Sequence, residues 1–208
     1  MDNRVRDVLN RLEARSASEQ ARLEDLRRRG GSSLREVAGE LMLDVGRDVG
    51  SFLNLLVKLT SARTIVEVGG SVGYSTIWLA EAARATGGRM LSLEPDAGKH
   101  AEQRSNLEAA GLIEYVDLRR DDANELLPAL PGPIDLVLLD HWKELYVREF
   151  VTLWPKLRRS GLIVADNILV PAKNAPVIQR YLEHVRATAD AQTMTLPLGD
   201  GVELTLKM

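Results

Sequence analysis

"TIVEVGGSVGYSTIWLAEAARA", residues 64–85, passes from a β-rich run through clustered glycines straight into a helical pattern. A strand that turns through glycines into a helix is the opening of a βαβ unit, because glycine lets the backbone turn tightly and approach a ligand closely. Beyond it, "MLSLEP", "YVDLRR", "IDLVLLD" and "LIVADN" read as further strands. "AGKHAEQRSNLEAAG", "ANELLPAL" and "LYVREFVTLWPKLRR" read as the helices between them. Such alternation predicts an α/β fold with a parallel sheet and helices on both faces. "TMTLPLGDGVELTLKM", residues 193–208, adds two strands around a Gly-Asp-Gly turn, a hairpin closing one edge.

The chain has 208 residues, 45% of them hydrophobic, enough for one substantial core. Its net charge of -3 gives no positive field to draw it to nucleic acid or to an anionic membrane, so small molecules are the expected partners. It holds no cysteine, which excludes a disulfide framework, a thiolate nucleophile and a Cys-ligated metal. The charged N-terminus has no apolar signal core and no stretch reaches the roughly 18 apolar residues of a membrane span, so a cytoplasmic location is expected. Residues 2 to 29 carry Val5, Val8, Leu9, Leu12, Leu23 and Leu26 at loosely helical spacing, an amphipathic arm to pack on the body or on a second subunit. Ser33 and Glu36 have the spacing of a capping box, which predicts a helix start. The chain divides at this level into a helical extension or lid, 1–45, and a main domain, 46–208.

In open α/β sheets, ligands sit beyond the carboxyl ends of the strands. The first such end is the loop of Gly69, Gly70 and Gly73, which departs from GxGxxG in having Ser71 where another turn glycine is expected. Glu67 stands before it, where a pyrophosphate would meet an unwelcome carboxylate and a cationic ligand fits better. Glu94 ends the next strand, placed to accept hydrogen bonds from both hydroxyls of a ribose. Together they indicate a nucleoside-containing cofactor, and a nicotinamide-dependent oxidoreductase is the alternative they leave open.

Asp140 closes the fourth strand, and Asp166 and Asn167 close the fifth. Neighbouring parallel strands bring such ends side by side, and two carboxylates with an amide make a hard-oxygen site suited to Mg²⁺ or Ca²⁺ rather than zinc. Taken singly, strand-end aspartates also serve as helix caps.

"LDHWKELY", residues 139–146, with "ADNILVP", residues 165–171, and "VEVGGSVGYSTIWLAEA", residues 66–82, resembles the metal-dependent catechol O-methyltransferases, class I S-adenosylmethionine-dependent enzymes with bacterial members. The similarity runs from residue 42 to the C-terminus. It implies a Rossmann-like, doubly wound, mostly parallel seven-stranded sheet with the antiparallel hairpin at its end and the helical extension at its start. It implies that Asp140, Asp166 and Asn167 hold Mg²⁺, with Ca²⁺ or Mn²⁺ as substitutes, and that Lys143 is the general base. Val45, Glu67, Gly69, Gly73, Tyr74 and Ser75 would receive the methionine end of S-adenosylmethionine. Glu94 and Pro95 would meet its ribose, and Ala123, Asn124, Asp140, His141 and Trp142 would surround its nucleoside. Trp142, Lys143, Asn167 and Pro171 would line the slot for an aromatic diol. A homodimer through the N-terminal helices is also expected.

The sequence departs from the family's mammalian members before the final hairpin, where a glutamate partner for the second hydroxyl has no counterpart; Asp200 stands nearest. His141 is assigned to packing against adenine and not to base or metal chemistry, since Lys143 is the better base and oxygen ligands suit Mg²⁺. Trp142 has an ordinary alternative as a core residue at a helix start.

Overall fold

The computed structural model describes residues 1–29, 39–169 and 174–208. Ser33, Glu36 and Pro171 lie outside the described residues, so the expected helix start and one wall of the substrate slot are not among them. The described strands form one seven-stranded sheet ordered β3-β2-β1-β4-β5-β7-β6. They are β1 (Thr64–Val68), β2 (Arg89–Leu93), β3 (Val116–Arg119), β4 (Ile134–Leu139), β5 (Leu157–Asp166), β6 (Ala191–Leu196) and β7 (Val202–Lys207). The first five run parallel, and β7 enters antiparallel to β5 with β6 beside it. This is the Rossmann-like, doubly wound sheet with its closing hairpin. The strand order reverses between β1 and β4, which opens a crevice at their carboxyl ends.

Side-chain alternation along the strands builds two cores. Leu136 and Leu138 of β4 join one apolar cluster and Val137 and Leu139 join the other. The first lies under α1 (Asn3–Arg29), α2 (Gly46–Leu59), α3 (Tyr74–Thr86) and α4 (Ala97–Ala110). The second lies under α5 (Ala123–Ala129), α6 (Tyr146–Leu153) and α7 (Ala175–Ala187).

The N-terminal arm is a single helix that packs on the body. Val5, Val8, Leu9 and Leu12 are buried in the same cluster as α2 and α3. Its polar face is also engaged: Arg11 donates to Asn106 at 2.8 Å and Arg15 pairs with Glu102 at 2.6 Å, both on α4. Among the described residues, no helix is long and apolar enough to cross a membrane.

One element differs from the sequence reading. The helical pattern over 145–159 yields a helix that stops at Leu153, followed by a 3-10 turn at Trp154–Lys156 and then by β5. Pro155 has no N–H to continue the helix. The basic run after it is drawn into anchoring instead, with Lys156 Nζ donating to the carbonyls of Leu127, Pro128 and Leu130 and Arg158 pairing with Asp135.

Candidate active site

The glycine loop is shaped by a close crossing. At Gly69 (φ +99°) a β-carbon would stand 2.1 Å from the carbonyl oxygen of Asp140, so only glycine lets the loop after β1 pass the end of β4. Ser71 takes the left-handed conformation (φ 46°) that the sequence assigned to a glycine. Two contacts hold it there: its N–H donates to Glu94 Oε2 at 2.8 Å, and its hydroxyl donates to the Met42 carbonyl. The second oxygen of Glu94 accepts from the Asp96 N–H at 2.9 Å. Each carboxylate oxygen has two lone-pair sites, so both oxygens of Glu94 keep one for a ligand.

Beneath the loop, Glu67 is completely enclosed. Its carboxylate accepts hydroxyl hydrogen bonds from Ser75 at 2.7 Å, from Thr76 at 2.6 Å and from Ser92, and Gln103 donates in turn to Thr76 and Ser92. Burial pushes the Glu67 carboxyl up to about 7 against the pull of these three donors. Ser75 thus meets Glu67 directly. Tyr74 turns its phenol away to Glu13 of α1 at 2.7 Å, leaving its backbone at the loop. Val45 is buried at the start of α2. The segment before it is held by α1, through Ser16 to Asp44 at 2.5 Å and the Met42 N–H to Glu19 at 2.8 Å.

Register brings the acid-bearing strand ends together. Val68 of β1 lies beside Leu93 and Leu139, and Leu139 lies beside Ala165, so Gly69, Glu94, Asp140 and Asp166 follow at one edge of the sheet. Asp166 is 1% exposed, and among the described residues its Oδ1 has no hydrogen-bond partner. Burial first, and then the charge of Asp140, push its carboxyl well above the usual range. Asn167 takes a left-handed turn (φ 57°) that asparagine tolerates, and the next two N–H groups bond to the carbonyls of Gly201 and Asp200. Asp200 is therefore brought toward Asp166, and its charge is among those acting on that carboxyl.

"DHWKELY" folds as a turn from β4 into α6. Lys143–Leu145 forms one 3-10 turn, with Trp142 at its start. Lys143 is 8% exposed, and its Nζ lies 3.5 Å from Asp140 Oδ1 and donates to the Tyr146 phenol at 2.8 Å. His141 Nε2 shares a hydrogen bond of 2.8 Å with the buried Glu149. Trp142 is 40% exposed, which overturns its reading as a core residue and leaves its indole at the rim. Ala123 and Asn124 open α5 after the Asp122 cap, and Asn124 and Pro95 are exposed.

An acid pair with an orphaned oxygen fits a hard divalent cation. Among the described residues no group of three His, Cys, Asp or Glu side chains is spaced to hold a metal, so a cation here would rest on Asp140, Asp166 and the Asn167 amide. The sequence reading passed over Tyr146 and Glu149. Tyr146 was legible as the i+3 neighbour of Lys143, whereas nothing in the sequence joins Glu149 to His141.

A family described as a methyltransferase domain matches residues 66–168. A catechol O-methyltransferase of Niastella koreensis is 38% identical over 140 residues, 65% of this chain and 63% of the relative. One of Mycobacterium tuberculosis is 40% identical over 127 residues, 60% of this chain and 57% of the relative. The chain thus spans roughly three fifths of the length of these curated relatives. The crystal structure of a cofactor-bound protein from MTB superposes with a TM-score of 0.74 at 31% identity, over 82% of this chain and 84% of that one. An O-methyltransferase from Bacillus cereus in complex with SAH superposes with a TM-score of 0.77 at 25% identity, over 100% of this chain and 92% of that one.

Proposed function

We infer that the chain belongs to the catechol O-methyltransferase-like family of class I S-adenosylmethionine-dependent methyltransferases, and we propose that it methylates one hydroxyl of a vicinal dihydroxy aromatic small molecule. The observation that carries the reading is the pairing of Leu139 with Ala165, which sets Asp140 and Asp166 at adjacent strand ends with Lys143 3.5 Å from Asp140. A nicotinamide-dependent oxidoreductase would leave those acids and that lysine without a use.

In this reading Glu94 holds the ribose with its two remaining lone-pair sites. Val45, Glu67, Gly69, Gly73, Tyr74 and Ser75 form the cradle for the methionine end, with Glu67 supplying negative charge below a cationic ligand. Pro95, Ala123, Asn124, His141 and Trp142 lie around the nucleoside. Asp140, Asp166 and Asn167 would hold Mg²⁺, and Trp142 and Pro171 would wall the acceptor's slot. Helix α1, from the 1–45 extension, covers the cradle as a fixed lid, since its Ser16 and Glu19 grip the segment that Ser71 ties to the glycine loop.

When bound, S-adenosylmethionine supplies an electrophilic methyl group and Mg²⁺ supplies Lewis acidity at paired oxygens. Lys143 Nζ would take the proton of the reacting hydroxyl, so that its oxygen could accept the methyl group, the donor leaving as a neutral sulfide. General-base catalysis of this kind contributes about 10² to 10⁴ in rate. Incubation with S-adenosylmethionine, Mg²⁺ and a panel of catechols, read by mass spectrometry, tests the proposal. Singly O-methylated products are expected, and their absence across the panel would refute it.

A further inference from the structure

Tyr146 is completely buried at the start of α6, and its phenol makes every polar contact open to it. The oxygen lies 2.8 Å from the carbonyl of Leu139 and 3.1 Å from that of Asp166. A phenol has one proton, and carbonyls only accept, so that proton is committed to the two strand ends. Toward Lys143, whose Nζ lies at 2.8 Å, the phenol therefore offers only a lone pair. The ring cannot swing away. It packs against His141 at 5.4 Å and edge-on against Tyr181 at 5.5 Å.

We propose that Tyr146 is a positioning residue for methyl transfer: its oxygen fixes the Lys143 amine by accepting one N–H, and so aims the nitrogen lone pair away from the protein and toward the acceptor hydroxyl. The proposal rests on Lys143 being the base. A lysine side chain is a flexible four-carbon stem with a freely rotating head, and Asp140 at 3.5 Å is too distant to hold that head by itself. One bond to a rigid acceptor removes that freedom. The same phenol ties together the carbonyl preceding Asp140 and that of Asp166, so the amine is referenced to both acid-bearing strand ends.

A staple of the strand ends alone would produce the same contacts, and a double-mutant cycle separates the two roles. Tyr146→Phe should lower kcat by about 10- to 100-fold, the scale of a misplaced reacting group. KM for the acceptor and cofactor affinity by calorimetry should stay within about twofold, since the base touches neither binding step. In a Lys143→Ala background, Tyr146→Phe should cost nothing further. Site-specific 3-fluorotyrosine at 146 keeps the ring and the carbonyl bonds while weakening the oxygen as an acceptor; it should lower kcat in the same direction by less, and it keeps the test open if the Phe variant folds poorly. An equal loss in both backgrounds, or undiminished kcat in both Tyr146 variants, would overturn the proposal. If Lys143→Ala itself retained full kcat, the base assignment would fall, and the proposal with it, through a result recognisable before Tyr146 is touched.

Discussion

Asp140 and Asp166 stand at neighbouring strand ends because Leu139 pairs with Ala165, and among the described residues the buried Oδ1 of Asp166 has no hydrogen-bond partner there. Burial first, and then repulsion by Asp140, hold the Asp166 carboxyl well above its usual range. A divalent cation would remove both the repulsion and the vacancy in the hydrogen-bond inventory. Addition of Mg²⁺ is therefore expected to raise the Tm of the protein, and Asp166→Asn is expected to weaken Mg²⁺ binding in calorimetry by about 10-fold or more. Full turnover in excess chelator, with metal shown absent by elemental analysis, would contradict the assignment.

Lys143 and Glu94 should divide chemistry from cofactor binding. Lys143→Ala should lower kcat by about 10² to 10⁴ with little change in cofactor affinity. Glu94→Ala should weaken cofactor binding by about 10- to 100-fold, since hydrogen bonds to a charged group contribute about 1.5–3 kcal/mol. Calorimetry and steady-state rates on both variants check this, and an exchange of the two phenotypes would show the roles reversed.

Glu67 should give stability a pH dependence of unusual sign. Its folded-state value of about 7 lies above its ordinary 4.5, so between those values the native state binds more protons than the unfolded chain. Stability contributed at this site therefore falls as pH rises through that window, by about 3 kcal/mol in all at about 1.36 kcal/mol per pH unit. Denaturant unfolding of the wild type and of Glu67→Gln at pH 5 and pH 7.5 isolates the effect. The wild type should lose stability relative to the variant on going to the higher pH; a gap that does not move would mean that the carboxyl titrates normally.

Helix α1 should behave as part of the core. Leu9 is 2% exposed within the cluster that includes α2 and α3, so Leu9→Ala should lower unfolding stability by about 2–5 kcal/mol in one cooperative transition. A loss well below that range, or a separate early transition, would mark the arm as independently folded.

Local signals made much of this legible. The glycines after β1, the acids closing β2, β4 and β5, and the Gly-Asp-Gly turn of the hairpin are written in short stretches, and the sheet order carries them to one edge. What the sequence obscured depends on partners far along the chain. That Glu13 meets Tyr74, and that Glu19 holds the Met42 N–H, follows from how α1 lies across the sheet and not from any motif. The basic run around Lys156 and Arg158 looked like a helix end because lysine and arginine favour that place, yet their carbonyl and Asp135 contacts make it a strand entry. At Ser71, a residue choice that argued against a left-handed turn was outweighed by the bonds to Glu94 and Met42.

In the proposed function the acceptor is held through two adjacent oxygens at the Asp140, Asp166 and Asn167 edge. Mg²⁺ prefers six oxygens in near-octahedral order, and three protein donors leave room for a bidentate diol. A monophenol would compete with water for one position and turn about it, and Asp200, whose charge acts on Asp166, is the candidate partner for a second hydroxyl. The direct measurement is kcat/KM for caffeic acid and for p-coumaric acid, which differ by one ring hydroxyl, at saturating cofactor and Mg²⁺. A preference for caffeic acid of about 100-fold or more is the predicted result, and equal values for the pair would contradict it.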